Sequence, residues 1–460
     1  MRILIVNRKA FPSIGGKQLH TTRLAAGLAG LGHDVSVVAT HTDPPAVPTN
    51  LGFPIHYRPK LERLHRLVAD ADVVHLNIHS WPVLFFGLLL RKPMLYVYHE
   101  SGDRLCGRAL TWRWWEPRCR FEMPCLWCEQ TRFRRSPRHW LLDPLAQRAR
   151  DRFVTVVGTC RVFLSRLPAD SPYVPYGLPM DELVPAASPR RDFLLFAARL
   201  TPEKGGVHLI RAVAECRRRG QNFPVVVLGD GPERGDLERL AQELEVADRV
   251  EFRGAVSMSV LIQHYQQAFA VVLPSVWEEM FGTISVEAMA CRTPVIASAV
   301  GGMVETVGHA GLLFPPGDHV ALADRILEVK GDPSLAESLA QRGFELAHSQ
   351  YELSTMVRNY EGLYGRLVVH EDGDPEPTVW PAGLSTLGSE LVARGRQTGG
   401  GSRVGRSAPS QVQSVEANRT ETSGPTIPPS TRWTQPIPTA PWVPARSRNP
   451  ASETRFRTSA

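Results

Sequence analysis

The sequence predicts an α/β protein made of two doubly wound, Rossmann-like domains, and three observations carry that prediction. Short apolar runs alternate with helix-like stretches along the first 350 residues or so, the pattern of strands buried between helices. Both halves open on such a run followed by a loop that carries glycine, first at Gly15-Gly16 and again at Gly205-Gly206. A chain of 460 residues is also too long for one hydrophobic core.

In the first half, residues 2 to 7 read as a strand, Phe11 to Gly16 as a loop, Lys17 to Leu31 as a helix and Val35 to Ala39 as the next strand. This β-α-β unit places Gly15 and Gly16 at the carboxyl end of its first strand, where open α/β sheets bind ligands. The spacing is not G-x-G-x-x-G, which disfavours a dinucleotide oxidoreductase. Asp72 to Leu76 and Met94 to Tyr98 are further strands, with a buried helix expected over Trp81 to Leu90 between them. His99 follows the second of these, at its tip. Residues 100 to 152 are rich in Arg, Trp and Cys, and Phe153 to Val157 reads as one more strand with a helix after it to Leu167. Pro185 to Arg191 has the composition of a hinge.

The second half begins with the strand Phe193 to Ala197 and the loop Ala198 to Gly206. Arg199 offers a planar fork of donors and Lys204 a mobile point charge, so this loop can hold a diphosphate from two sides. Val225 to Leu228 and Arg249 to Gly254 are strands, with the helix Leu237 to Leu244 between them. Next comes the densest stretch, Pro274 to Pro294, PSVWEEMFGTISVEAMACRTP, which joins a strand at Phe269 to Leu273 to a helix over Thr283 to Cys291. Glu279 is on the joining loop and Glu287 on the helix. About one turn, ~6 Å, separates Thr283 from Glu287, so the two carboxylates can reach different ends of one elongated ligand. The amides of Gly282, Thr283 and Ile284 lie at the positive end of the helix, where phosphate is favoured. A ligand with hydroxyls at both ends and phosphate in the middle suits this layout. A strand at Val295 to Ala297, the loop at Gly301-Gly302, an apolar run at Leu312 to Phe314 and two helices from Val320 to His348 complete the second domain. Tyr351 to Val369 reads as a last helix.

Glu279-Met280-Phe281-Gly282, then Glu287-Ala288-Met289-Ala290, resembles the donor motif of retaining glycosyltransferases of GT-B architecture, the group classified as glycosyltransferase family 4. The paired glycine loop, His99, Ala198-Arg199-Leu200 with Glu203-Lys204-Gly205, and Gly301-Gly302 stand in that family's order over residues 1 to 370. The resemblance implies two Rossmann-like domains facing a cleft: an acceptor domain over 1–178, with an insertion at 100–152, and a donor domain over 179–350. It also implies a helix over 351–370 that crosses back to the first domain. Sugar would pass from a nucleotide-diphosphate sugar, a UDP- or GDP-sugar, to a hydroxyl of a glycan or lipid-linked acceptor, with no cofactor required. Glu279 would meet the sugar, Glu287 the ribose, and His99 the donor sugar and the attacking hydroxyl. Arg199, Lys204 and the Phe281 to Ile284 turn would meet the diphosphate, with Gly15 and Gly16 facing it. Two departures stand out. Tyr176 occupies a turn position where asparagine is common, and Arg292 stands where relatives usually have glycine.

The remaining sequence sets bounds. Net charge is +7, with no helix-turn-helix, RNP or zinc-finger pattern to point to nucleic acid. Anionic nucleotide sugars and an anionic membrane surface remain as partners. Seven cysteines, an odd number, argue against a secreted disulfide framework. Cys106, Cys119, Cys125 and Cys128 could ring a zinc ion, although their spacing is not that of a ribbon or knuckle, and free thiols are the other reading. Met1-Arg2 runs straight into a strand, so a cytoplasmic protein is expected, with peripheral contact at the membrane surface open to it. The tail over 371–460, rich in Pro, Ser, Thr and Arg, lacks the apolar clusters to offset its ordering entropy and is expected to be disordered. A sugar-nucleotide epimerase on the same architecture and a non-catalytic binding or scaffold protein are the alternatives.

Overall fold

The apolar runs become parallel strands in two sheets of identical strand order. The computed structural model describes residues 1–11, 16–44, 51–99, 151–186 and 192–369. Gly15, most of the cysteine- and tryptophan-bearing segment with all four candidate zinc ligands, most of the expected hinge and the tail lie outside the described residues.

The first lobe contains β1 (Arg2–Asn7), α1 (Gly16–Gly30), β2 (Asp34–Ala39), β3 (Ile55–Tyr57), α2 (Leu61–Asp70), β4 (Val73–Leu76), α3 (Trp81–Leu89), β5 (Met94–Tyr98) and β6 (Thr155–Gly158). The second contains β7 (Leu194–Ala197), α4 (Gly206–Arg218), β8 (Val225–Leu228), α5 (Arg234–Glu243), β9 (Val250–Gly254), α6 (Met258–Gln267) and β10 (Ala270–Leu273). It continues with α7 (Thr283–Ala290), β11 (Val295–Ser298), α8 (Met303–Val307), β12 (Leu312–Phe314), α9 (His319–Gly331) and α10 (Pro333–Gln350). The final helix is α11 (Leu353–Val369).

The sheets run β3-β2-β1-β4-β5-β6 and β9-β8-β7-β10-β11-β12. Helices cover both faces, so central strands such as β7, β8 and β10 are buried at every position. That is why they read as unbroken apolar runs rather than as an alternation. In each sheet the strand order reverses once, between β1 and β4 and between β7 and β10, and ligands of such folds sit outside the carboxyl ends of the strands at that point.

Several elements differ from the sequence reading. The helix over Trp81 to Leu90 is only half buried: Val83, Leu84 and Gly87 pack inward, while Trp81, Phe85 and Leu89 are 47%, 61% and 63% exposed. It is apolar all round but has a neighbour on one face. The strand expected at Phe153 starts instead at Thr155, leaving Phe153 exposed, and a short 3-10 helix, Arg161–Arg166, replaces the helix expected after it. The helix expected over Leu237 to Leu244 begins one turn earlier, at Arg234.

α11 returns from the second lobe to the first. Gly27 of α1 meets the Val357 side chain, His33 Nε2 lies 2.9 Å from Glu361 Oε1, and a bridge pairs Leu178 with Glu352. Two further contacts join the lobes. Arg166 makes a two-pronged bond to Glu278 at 2.9 and 3.1 Å, and Glu305 of α8 accepts from Cys160 Sγ and Tyr173 Oη, each at 2.8 Å.

Candidate functional site

The loops after β7 and β10 meet because of one glycine. Gly205 has φ 71°, and any Cβ there would collide with the Pro274 carbonyl, so only glycine lets the two loops approach this closely. That approach brings Lys204 Nζ onto Glu279 Oε1, and Ser275 Oγ donates to the same oxygen at 2.8 Å. Behind the loop, Gly301 and Gly302 lie directly on the Glu279-Met280 backbone. The Gly302 N–H donates to the Glu279 carbonyl at 2.6 Å, and a side chain at either glycine would strike that backbone. Glu278 and Glu279 therefore diverge: the first pairs with Arg166 of the other lobe and the second with Lys204. Arg199 is exposed just past the end of β7.

α7 starts at Thr283 with Gly282 as its N-cap, and no side chain caps it. Its leading turn faces the first lobe, where a Cβ on Gly16 would lie 3.8 Å from Thr283 Oγ1. Ile284 is partly buried against the core beneath. Phe281 is buried, with ring centroids 4.9 Å from Tyr176 and 5.2 Å from Tyr351. Glu287, one helical turn further on, is only 3% exposed. Tyr265 Oη of α6 donates to its Oε2 at 3.0 Å. Burial pushes the Glu287 carboxyl up, while Arg23 of α1 and the Tyr265 bond pull the other way.

The first lobe closes its own reversal point with a buried hydrogen-bond network. Asn77, just past β4, is its hub: both His75 Nε2, at 2.9 Å, and His99 Nε2, at 2.5 Å, approach Asn77 Oδ1. An amide oxygen only accepts, so both histidines donate through Nε2. Burial lowers both of their pKa values, to about 4 for His75 and well below the ordinary value for His99. Their Nδ1 atoms then accept, from Tyr364 Oη at 2.6 Å and from Tyr176 Oη at 2.5 Å. Asn77 Nδ2 and Asn7 Nδ2 donate to Thr21 Oγ1 at 3.0 and 2.8 Å, and Thr21 donates to the Lys17 carbonyl at 2.9 Å. The donor and acceptor at every member are thus determined. His20 packs on top with its ring 4.2 Å from that of Tyr176; burial holds its pKa down at about 3.

Of the residues singled out from sequence, the structure joins Lys204 with Glu279, Gly16 with Thr283, and, through Tyr176, Phe281 with His99. Gly15 is outside the described residues. The sequence reading missed Ser275, Tyr265, Arg23 and the Asn77 hub. Tyr265 sits on α6, a helix in which it alone is fully buried, and no short motif marks it. Among the described residues no cluster of His, Cys, Asp or Glu could hold a metal ion, and no helix is long and apolar enough to cross a membrane. On the first lobe a cleft of about 390 Å³ opens beyond β2, β3 and β4, lined by residues that include His41, Arg58, Ile78, His79 and Trp81.

Comparison with known proteins fits this layout lobe by lobe. Residues 184–346 match the family described as Glycosyl transferases group 1, and residues 14–166 match Glycosyltransferase Family 4. Alpha-D-kanosaminyltransferase from Streptomyces kanamyceticus is 34% identical over 176 residues, 38% of this chain and 45% of that protein. The 2-deoxystreptamine glucosyltransferase of the same organism is 39% identical over 32% of this chain and 39% of its own length. The chain therefore spans less than half the length of these two curated relatives. An uncharacterized glycosyltransferase from Methanocaldococcus jannaschii is 26% identical over 79% of this chain and 98% of its own. Among solved structures, sucrose-phosphate synthase from Thermosynechococcus elongatus has a TM-score of 0.61 at 23% identity, covering 80% of this chain and 99% of that one. Anabaena HepE, solved with UDP and glucose, has a TM-score of 0.62 at 19% identity, covering 79% and 99%. The second lobe thus matches the group 1 glycosyltransferase family and the first lobe glycosyltransferase family 4, on the two-sheet GT-B architecture that these neighbours share.

Proposed function

We propose that the chain transfers a sugar from a nucleoside-diphosphate sugar to a hydroxyl acceptor, with the anomeric configuration kept, in the synthesis of a polysaccharide, glycolipid or other glycoconjugate. The observation that carries this reading is the meeting of Lys204 with Glu279 at the second lobe's reversal point, directly beside the uncapped start of α7. A cation, a carboxylate and free helix-start amides within one loop cluster suit a diphosphate with a sugar attached.

As the bond from the sugar to the diphosphate stretches, negative charge builds on the leaving phosphate oxygens. Lys204, Arg199 and the amides at Thr283 and Ile284 are fixed donors for that charge, and such donors act most strongly where it develops. Glu279 accepts from sugar hydroxyls and steadies Lys204. Glu287 accepts from the ribose diol, and donors of that kind offset the cost of burying its carboxylate. The acceptor hydroxyl attacks from the face the diphosphate leaves. Its oxygen forms the new bond to the anomeric carbon, and its proton passes to the departing phosphate oxygen. His99, at the tip of β5 with both ring nitrogens bonded to Asn77 and Tyr176, borders the donor sugar and the attacking hydroxyl with its ring edge rather than bonding them. The cleft beyond β2 to β4, with Trp81 on its wall, lies on the same edge of that sheet and suits the acceptor.

UDP is the first donor base to test, since HepE was solved with UDP and glucose. The experiment is a thermal-shift screen of the full chain against UDP, GDP and ADP, followed by incubation with the matching sugar nucleotides. A nucleoside diphosphate that binds only the folded state raises Tm. The product should carry the anomeric configuration of the donor. Absence of stabilisation by all three diphosphates, together with no sugar release, would refute the reading.

A further inference from the structure

Tyr176 does two separable things. Its hydroxyl donates to His99 Nδ1, and its ring lies between His20, 4.2 Å away at 26°, and Phe281, 4.9 Å away at 31°. His20 belongs to α1 of the first lobe and Phe281 to the loop that leads into α7 of the second. Ring contacts therefore cross from one lobe to the other through Tyr176, stacked on His20 and tilted against Phe281, with a hydrogen bond leaving it toward His99.

The hydroxyl also decides which form His99 takes. Asn77 Oδ1 and Tyr176 Oη bracket the imidazole from opposite sides. Without the phenol, the buried Nδ1 loses its donor. The ring is then free to move its proton to Nδ1 or to turn over, which deprives Asn77 Oδ1 of one of its two donors. An asparagine here, the residue that the family resemblance leads one to expect, offers no ring to fill the space between His20 and Phe281.

We propose that Tyr176 is a positioning residue for sugar transfer: its hydroxyl fixes the tautomer and orientation of His99, while its ring keeps that histidine in register with Phe281 of the donor loop. This rests on the transfer reading above, in which His99 faces the reacting groups. Tyr176 itself acts through His99 and Phe281 and need not touch substrate.

The test is Tyr176→Phe, which keeps the ring contacts and removes only the hydroxyl, made in the full chain and again in a His99→Gln background. In the parent background kcat should fall about tenfold, as for a modest misplacement of a reacting group, while the donor KM and the Tm shift given by the nucleoside diphosphate stay within about twofold of wild type. In the His99→Gln background the same substitution should change kcat less than about twofold, because residues acting through a common partner are non-additive. Asn77→Ala, which removes the opposite anchor of His99, gives an independent second variant and should show the same kcat-selective loss and the same non-additivity. A kcat within twofold of wild type for Tyr176→Phe, or equal losses in the two backgrounds, overturns the proposal. A wild-type chain that transfers no sugar is a different result: it removes the transfer reading, and this inference with it.

Discussion

The two lobes share one strand order and finish their ligand-binding edges with opposite chemistry. The first lobe's reversal point is filled by histidines, asparagines, tyrosines and Thr21, buried and bonded to one another. At the second lobe's reversal point stand Lys204, Glu279 and Arg199, partly open to solvent. Identical topology thus fixes where a site forms and leaves open what it does. A neutral network gives orientation, because each of its bonds runs in one determined direction. Exposed charges give countercharge, because they can exchange one partner for another when an anion arrives.

The largest effects should come from the charged edge. On the proposed transfer reading, Lys204→Ala removes a donor for the leaving diphosphate and should lower kcat about 10²- to 10³-fold, the cost of deleting one such donor elsewhere. Glu279→Ala should be severely impaired, while Glu278→Ala, whose carboxylate binds Arg166 instead, should keep most of its activity. Steady-state kinetics on the three variants checks this. Full activity in Glu279→Ala would reverse the assignment of the two neighbouring carboxylates.

Acid separates the lobes by sign. His20, His75 and His99 are held below the ordinary histidine pKa of 6.5 by burial, to about 3 and about 4 for the first two. The unfolded chain therefore binds protons that the folded first lobe refuses. Stability from these groups is complete above about pH 6.5 and falls as pH drops toward 4, by about 1.4 kcal/mol per pH unit for each histidine involved. Glu287 runs the other way. Its folded pKa is raised by burial, so the folded form holds a proton that the unfolded form gives up, and stability from this group declines as pH rises through the carboxylate range. Thermal unfolding from pH 7 to 4 should show a falling Tm, with a shallower slope in His75→Asn. Glu287→Gln should raise Tm at pH 7 and at the same time weaken nucleoside-diphosphate binding. If Glu287→Gln both destabilises and binds normally, the buried carboxylate is structural.

The sequence discloses these two edges unequally, for a physical reason. Lys204 and Glu279 are 75 positions apart, yet each lies in a short motif beside a strand end, so the charged edge could be read loop by loop. The neutral network has no such motif. His99 and Tyr176 are 77 positions apart, and His75 and Tyr364 are 289 apart; each alone looks like an ordinary core residue. Only α11, returning to the first lobe, makes the hydroxyl of Tyr364 a partner. The same logic applies to whole elements. β7, β8 and β10 are visible because burial on both faces demands continuous apolar runs. β3 was missed because it has three residues set between Pro54 and Pro59, none of them fully buried. α6 was missed because it fully buries Tyr265 alone, with Leu261 and Ile262 only partly covered.

The smallest predicted effect lies outside both edges, at the far end of α7. Arg292 follows that helix with φ 58°, one of four non-glycine residues with positive φ among those described. The left-handed conformation places Cβ against the following carbonyl and costs about 1–2 kcal/mol for an ordinary residue, which is why glycine commonly ends helices this way. Against that cost stands an exposed ion pair to Glu337 at 2.7 Å, and pairs of this kind contribute about 0–1 kcal/mol. Arg292→Gly should therefore stabilise the chain by about 0.5–1 kcal/mol, despite the added freedom of glycine in the unfolded state, and raise Tm by about 1–4 °C. Because α7 carries Glu287 and, at its other end, the uncapped turn proposed to meet phosphate, kinetics measured beside calorimetry tests how far the charged edge depends on its helix. A higher Tm with unchanged kcat and KM means that the edge is set by the loops packed through Gly205 and Gly301-Gly302. A higher Tm with a changed donor KM means that the Arg292–Glu337 pair holds α7 in the register the donor needs, and the contrast between the lobes would then extend from the strand ends to the helices behind them.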